Sequence, residues 1–205
     1  MFEDRKDAGT RLGQALAEYK GTGALVLAIP RGGVEVGYYV ARELEAEFSV
    51  IITRKLPFPD QPEAGFGAIA EDGSVFIMEG ALKWVDPDSV ERITRRQKEE
   101  IARRKEVFRG GEDIPPLEGR HIILVDDGIA MGSTVRASLL MLRNCGAGRV
   151  TVASPVAGPS VASYVNEIAD ELVVLEKPHD FSAVAQVYRN WHDVTDEEAS
   201  AFLEQ

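Results

Sequence analysis

The chain of 205 residues has a single cysteine, Cys145. One thiol excludes an intrachain disulfide and any cysteine-based zinc cluster. Cys145 lies in a helical segment rich in Leu and Met and reads as a small buried hydrophobe rather than a reactive thiol. No apolar run approaches the ~18 residues of a membrane span. The first residues, Met1-Phe2-Glu3-Asp4-Arg5-Lys6, lack the apolar stretch of a secretory signal, so a cytoplasmic protein is the expectation. Basic residues are scarce: 23 Lys and Arg face 34 Asp and Glu, a formal charge of −11. That balance opposes a broad nucleic-acid face, although it leaves room for a local basic patch. Internal repeats and low-complexity segments are absent. What remains is ordinary globular composition, 44% hydrophobic and 28% charged, long enough for one domain with a sizeable core.

Short apolar runs alternate with helical periodicity. Residues 24–29, 48–53, 122–125, 149–154 and 172–175 read as strands buried on both faces. Helical patterns fall at 3–20, 34–47, 86–109, 133–144 and 160–170. Pro87 suits the first turn of the longest of them. This alternation predicts an α/β fold: an open, mostly parallel five-stranded sheet with helices on both faces. Asp72-Gly73 between two short apolar segments predicts an antiparallel hairpin over 67–78. Pro57, Pro59 and Pro62 predict an extended loop over 56–63. Residues 1–175 form the expected core, and the aromatic and acidic tail 176–205 a small C-terminal hood on the same domain.

Three polar clusters are expected at one edge of that sheet. The first follows the strand Ile122–Val125: the carboxylates Asp126 and Asp127, then a loop with Gly128 and Gly132, then Ser133 and Thr134 opening a helix. Glycine lets backbone N–H groups approach an anion closely, and a helix start adds further donors, so the loop reads as a phosphate cradle. Carboxylates accept hydrogen bonds, so the Asp pair suits sugar hydroxyls or a Mg²⁺ ion. The second cluster is Arg31-Gly32-Gly33, between a strand and a helix. The third is Arg54-Lys55, after the strand 48–53. A sugar with a phosphate at one end and a polyphosphate at the other fits all three. The spacing matches neither a Walker-type P-loop nor a dinucleotide fingerprint. The arginine-rich stretch 92–109 reads either as a solvated helix with Glu91, Glu99 and Glu100 as partners or as a face turned to a polyphosphate.

Val125-Asp-Asp-Gly-Ile-Ala-Met-Gly-Ser-Thr134 resembles the phosphoribosyl-pyrophosphate (PRPP) signature of the phosphoribosyltransferase family. Pro30-Arg-Gly-Gly33 resembles its pyrophosphate loop, and Arg54-Lys55 the basic pair of adenine-type members. Gly67–Gly73, the Arg-rich helix and the tail 181–198 are similar to a bacterial branch whose acceptor is unassigned. The resemblance implies a Mg²⁺-dependent transfer of 5-phosphoribosyl from PRPP to a nitrogenous base, releasing pyrophosphate. Asp126 and Asp127 would hold the ribose hydroxyls and, indirectly, the metal. Gly128, Ile129, Ala130, Met131, Gly132, Ser133 and Thr134 would wrap the 5′-phosphate. Arg31, Gly32, Gly33, Arg54 and Lys55 would bind pyrophosphate, with Arg31 and Lys55 joining the Asp pair as the catalytic set. Loop 56–66, segment 79–110 and the tail are candidates for a water-excluding cover. Two departures stand out. Met131 replaces a common threonine, and Ala130 stands where hypoxanthine–guanine members carry a base-protonating Asp. Partners implied are PRPP and an unidentified acceptor, with no membrane, nucleic acid disfavoured by charge, and a homodimer as the assembly many members adopt. A PRPP-sensing regulator without useful turnover, and a hydrolase cleaving PRPP with water, are the rival readings.

Overall fold

The computed structural model describes residues 1–205. Its centre is a five-stranded parallel sheet. The strands are β1 (Leu25–Ala28), β2 (Glu47–Val50), β6 (His121–Val125), β7 (Arg149–Val156) and β8 (Glu171–Glu176). They lie in the order β2-β1-β6-β7-β8. Every residue of β1 is buried, as the continuous apolar run requires of a central strand. Helices α1 (Arg5–Ala15) and α2 (Gly32–Leu44) cover one face, and α4 (Ser133–Asn144) and α5 (Pro159–Ile168) the other. One core cluster gathers Leu25, Leu27, Ile122, Leu124, Val150 and Val152 under α4. The opposite cluster gathers Val26, Ile123 and Val125 with Leu12 and Val40. Alternate residues of β1 and β6 therefore face opposite layers, which is what a two-sided sheet demands. Cys145 packs half-buried beside the first cluster, and burial pushes its thiol pKa up.

The second sheet corrects the expectation for residues 51–66. The apolar run through Thr53 is not one strand: β2 ends at Val50. Ile51 still donates to Ala28 of β1, but Ile52 donates to the Glu71 carboxylate, and the chain leaves the parallel sheet between them. There follow β3 (Thr53–Phe58) and β4 (Gln61–Ala70), an antiparallel hairpin completed by β5 (Val75–Ile77) in the order β3-β4-β5. The proline-rich segment is thus mostly strand, not loop. Prolines are tolerated because β3 is an edge strand and the pairing slips at Leu56/Pro57 and Pro57/Phe58. Pro62 sits at the hairpin tip, beyond the reach of β5, which pairs only with Gly67–Ile69. The Asp72-Gly73 turn between β4 and β5 is as expected, with Gly73 at φ +91°.

The antiparallel sheet is tied down at three places. A buried hydroxyl pair joins Thr53 of β3 to Ser138 of α4 at 2.8 Å. Glu71, at the end of β4, forms a buried ion pair with Arg109 of α3 (Pro87–Arg109). Beneath them Ile52, Leu56, Phe66 and Ile69 pack with Ile101 of the same helix. The tail runs through a short 3₁₀ turn, Val184–Val187, to α6 (Asp196–Leu203), which packs on α2 and α3. A reciprocal cap between Thr195 and Glu198 starts α6. No helix is long and apolar enough to cross a membrane.

Candidate active site

The site is built at the carboxyl edge of the parallel sheet. β6 ends at Val125, and the chain turns through Asp126 to Gly132 before α4 begins at Ser133. Gly132 has φ +71°, a left-handed conformation that glycine adopts without strain. A Cβ there would also fall 2.0 Å from the Tyr164 hydroxyl. That hydroxyl donates to the Met131 carbonyl and so fixes the loop from outside. The loop amide of Ile129 is used internally, donating to Val156. The amides of Ala130, Met131, Gly132, Ser133 and Thr134 find no acceptor within the protein. Five free donors on a turn entering a helix form an anion cradle. A cavity of about 210 Å³ opens over it, lined by residues 128–134 with Lys55, Glu63 and Gly65. Ala130 and Met131 are exposed at its rim, and Met131 contributes no hydroxyl.

Asp126 and Asp127 stand at the floor of the same edge. Burial pushes the Asp126 carboxyl well above the usual carboxylate range, and the charge on Asp127 pushes it further. Burial raises Asp127 too, opposed by the neighbouring Arg5 guanidinium. Arg5 is 3% exposed; its Nε donates to Asp127 Oδ2 at 2.9 Å, and its NH1 to the His192 carbonyl at 3.0 Å. The guanidinium lies 4.0 Å from the centroid of the Trp191 ring. The buried Tyr188 hydroxyl donates to the Asp127 carbonyl at 2.7 Å. Burial and the Asp127 charge raise its own pKa. Tyr188 and Trp191 thus serve packing and support of the acid pair.

Arg31, Gly32 and Gly33 meet this floor from the next strand. The Pro30–Arg31 peptide is cis, and α2 begins at Gly32. A Cβ on Gly32 would fall 1.8 Å from Asp127 Oδ2, and one on Gly33 3.1 Å from Asp126 Cα. Gly32 is therefore required by close approach to the acid pair, and at Gly33 a Cβ would be a tight fit. Arg31 reaches Asp196 of α6 at 3.6 Å, and Asp196 also pairs with Arg103 of α3 at 2.6 Å.

Arg54 and Lys55 are not where a parallel strand would have left them. They belong to antiparallel β3, and successive residues of a strand diverge. Lys55 lines the cavity over residues 128–134, with Nζ donating to the Glu63 carbonyl at 2.5 Å. Arg54 turns to α3, where its Nε donates to Gln97 Oε1 at 3.1 Å. Burial, with the charges of Arg104, Arg31 and Arg103 around it, lowers the Arg54 pKa to about 10.

The structure thus gathers Asp126, Asp127, Arg31, Gly32, Gly33, Lys55 and residues 128–134 about one edge, with Arg54 turned to Gln97 of α3 and within reach of the Arg31 charge. Three further participants are invisible to sequence reasoning. Arg5 and Asp196 are charged residues near helix starts, with no local signal. Tyr164 is one tyrosine in an ordinary amphipathic helix.

These features define a phosphoribosyltransferase-type fold. The phosphoribosyl transferase domain family model matches residues 5–190, and the chain belongs to that family. Two Mycobacterium tuberculosis proteins, from strains H37Rv and CDC 1551, are each 42% identical over 206 residues, and both are provisionally named phosphoribosyl transferases. The alignment covers all of this chain but 46% of theirs, so the chain spans less than half the length of those relatives. Among solved structures, TT1426 from Thermus thermophilus is similar with a TM-score of 0.82 and 39% identity. The match covers 98% of this chain and 97% of that one. A hypoxanthine phosphoribosyltransferase from Staphylococcus aureus shares the fold, with a TM-score of 0.52 and 12% identity over 86% of this chain and 74% of its own.

Proposed function

We propose that this protein transfers the 5-phosphoribosyl group of PRPP to a nitrogenous base, with release of pyrophosphate. The observation that carries the reading is the row of five unpaired amides, with Lys55 lining the cavity over it and a half-buried carboxylate pair shortly before it in sequence. A phosphomonoester fits the cradle, since close backbone donors suit its oxygens. Asp126 and Asp127 accept from the ribose hydroxyls. Arg31 and the start of α2 face the pyrophosphate, assisted by Lys55. The acceptor nitrogen forms the bond to the anomeric carbon as the carbon–oxygen bond to pyrophosphate breaks. The electron pair leaves with pyrophosphate, and the base loses a proton. Positioning and stabilisation of charge on the leaving group carry the rate.

The donor set fits Mg²⁺: two hard carboxylates beside a polyphosphate are its usual surroundings, the remaining positions being filled by substrate and water. Asp126 and Asp127 would hold it, directly or through water. When bound, Mg²⁺ supplies charge neutralisation on the pyrophosphate. Ala130 carries no proton donor, which disfavours a 6-oxopurine acceptor.

Calorimetry with PRPP and Mg²⁺ tests the reading, and absence of binding at millimolar PRPP would sink it. A screen of purine and pyrimidine bases, read out as pyrophosphate, then identifies the acceptor. PRPP binding with no pyrophosphate release across the panel would instead mark a PRPP-responsive regulator. Release of ribose 5-phosphate without any base would mark a hydrolase.

A further inference from the structure

Arg5 opens α1, 122 residues from the acid it meets. Three restraints fix its buried guanidinium: the bond to Asp127 Oδ2, the bond to the His192 carbonyl and the face of the Trp191 ring. The contact with Asp127 is made over Gly32, where a Cβ would fall 1.8 Å from Oδ2 and 3.1 Å from Arg5 Nε. Oδ2 is thereby taken, whereas no N–H group of the protein reaches Asp127 Oδ1. Docking of the tail does not need Arg5. Backbone bonds already tie it to the N-terminus, from Phe2 to the Val187 carbonyl at 2.7 Å, from Arg189 to that of Phe2 at 2.9 Å and from Asn190 to that of Glu3 at 2.9 Å. Nor does an ion pair out of water add much stability by itself, since apolar side chains of similar volume commonly serve as well. What a guanidinium does here that an apolar residue cannot is fix the direction of one carboxylate.

We propose that Arg5 is a positioning residue that holds Asp127 with Oδ1 free for the sugar, and so sets the site's preference for ribose over deoxyribose. The inference rests on the reading above, in which the acid pair accepts from the ribose hydroxyls, and deepens it. A polar group that is held in place and then left unpaired rejects an analogue lacking its partner, whereas a carboxylate free to rotate turns to water instead. Arg5 locks one oxygen and leaves the other to be satisfied by a hydroxyl. Asp126 lacks such a clamp, its Oδ1 accepting only the Asp127 amide at 2.9 Å. Lysine is a poor substitute for Arg5. Its ammonium has no planar fork to donate to two fixed acceptors while lying on an indole ring.

The test titrates ribose 5-phosphate, its 2-deoxy and 3-deoxy analogues and inorganic phosphate into the whole chain by calorimetry. The unaltered protein should prefer ribose 5-phosphate to at least one deoxy analogue by about tenfold. Arg5→Lys should cut that preference to about threefold and Arg5→Met should abolish it, with the affinity for inorganic phosphate kept within about twofold. Arg5→Met leaves Asp127 unpaired, so the double variant Arg5→Met/Asp127→Asn removes the pair as a unit, and circular dichroism checks that each variant is folded. On the Asp127→Asn background, Arg5→Met should change ribose 5-phosphate affinity by less than about twofold, because a residue acting through Asp127 has nothing further to lose. Full preference in both single variants would overturn the proposal, as would additive losses in the double variant. Equal losses of phosphate and sugar affinity would also overturn it, since they would mark Arg5 as a general support of the fold. If the unaltered protein binds phosphate but does not distinguish ribose 5-phosphate from either analogue, the ribose reading of the acid pair falls and takes this inference with it. If it distinguishes them and the Arg5 variants do so equally, this inference alone falls.

Discussion

The two anion-facing walls of this molecule are built on opposite plans. The edge of the parallel sheet offers backbone donors: free amides over residues 130–134, positioned by a left-handed glycine and by a strand buried along nearly its whole length. The antiparallel sheet and α3 offer side chains instead: Lys55, Arg54 and Arg96 on longer, partly exposed stems. Backbone donors cannot relax away from a misplaced partner, so the first wall is selective and intolerant of substitution. Side-chain cations adjust, attract from a distance and are screened by salt. The contrast extends to the acids. Asp127 is satisfied by Arg5, while Asp126 is half-buried beside a like charge.

The largest expected effect on ligand binding breaks the rigid wall. Gly132→Val places a branched side chain where Tyr164 already sits and forces a left-handed backbone on a residue that resists it. PRPP affinity should fall by about 100-fold, roughly 2.7 kcal/mol. Calorimetry that found it unchanged would show that the loop is not the cradle.

Next come the two acids, with opposite signs. Asp127→Asn leaves the buried Arg5 without its charge partner and should cost about 3 kcal/mol in urea denaturation. Asp126→Asn retains an oxygen to accept the Asp127 amide, a bond of 2.9 Å, and removes a charge that the fold disfavours. It should stabilise the protein at neutral pH by about 1 kcal/mol while weakening PRPP binding. The sign follows from the raised folded-state pKa of Asp126. The unfolded chain ionises first, so this group's contribution to wild-type stability falls as pH rises from the ordinary carboxylate range towards the raised value. Asp126→Asn lacks that fall, and parallel stability–pH curves for the two proteins would refute the assignment.

A smaller effect sharpens the second wall. Glu100 is held down to about pKa 2, chiefly by its hydrogen bonds with Arg103 and also by Arg104, against the cost of burial. A depressed folded-state pKa contributes stability above the unfolded value near 4.5, and that contribution is lost as pH falls towards 2. Glu100→Gln should lower stability by about 1 kcal/mol at neutral pH, after allowing for solvent screening, and flatten the acid limb of the denaturation profile. The smallest effect is that of Lys55→Met. It should weaken PRPP several-fold, by about 1 kcal/mol, and reduce the salt dependence of binding, with affinities measured at two ionic strengths as the check.

Much of the first wall is legible in the sequence. Apolar runs of four to six residues between helical patterns mark a parallel sheet, and the strands fall within a few residues of 24–29, 122–125, 149–154 and 172–175. Asp-Asp-Gly-x-x-x-Gly-Ser-Thr lies within one turn and its helix start, so its geometry is local. The second wall defeats the sequence where locality fails. Val50-Ile51-Ile52-Thr53 is one apolar run in sequence, but Ile51 bonds to the parallel sheet and Ile52 to Glu71. Nothing in the side chains announces that the strand changes sheets there, since both are equally buried. The prolines of 56–63 argue for loop, yet an edge strand with slipped pairing has room for residues without an N–H.

The sequence by itself determined the class of fold, the parallel sheet's place in the chain and the cradle, because period, glycine and helix start act over a few neighbouring residues. Only the tertiary structure decided that Arg5 answers Asp127 across 122 residues, that Asp196 links Arg31 to Arg103, and that Arg54 turns to Gln97 of α3 while Lys55 reaches the cavity over residues 128–134. Those pairings rest on how helices and sheets dock. Docking is set by burial summed over whole faces, which no short stretch of residues encodes.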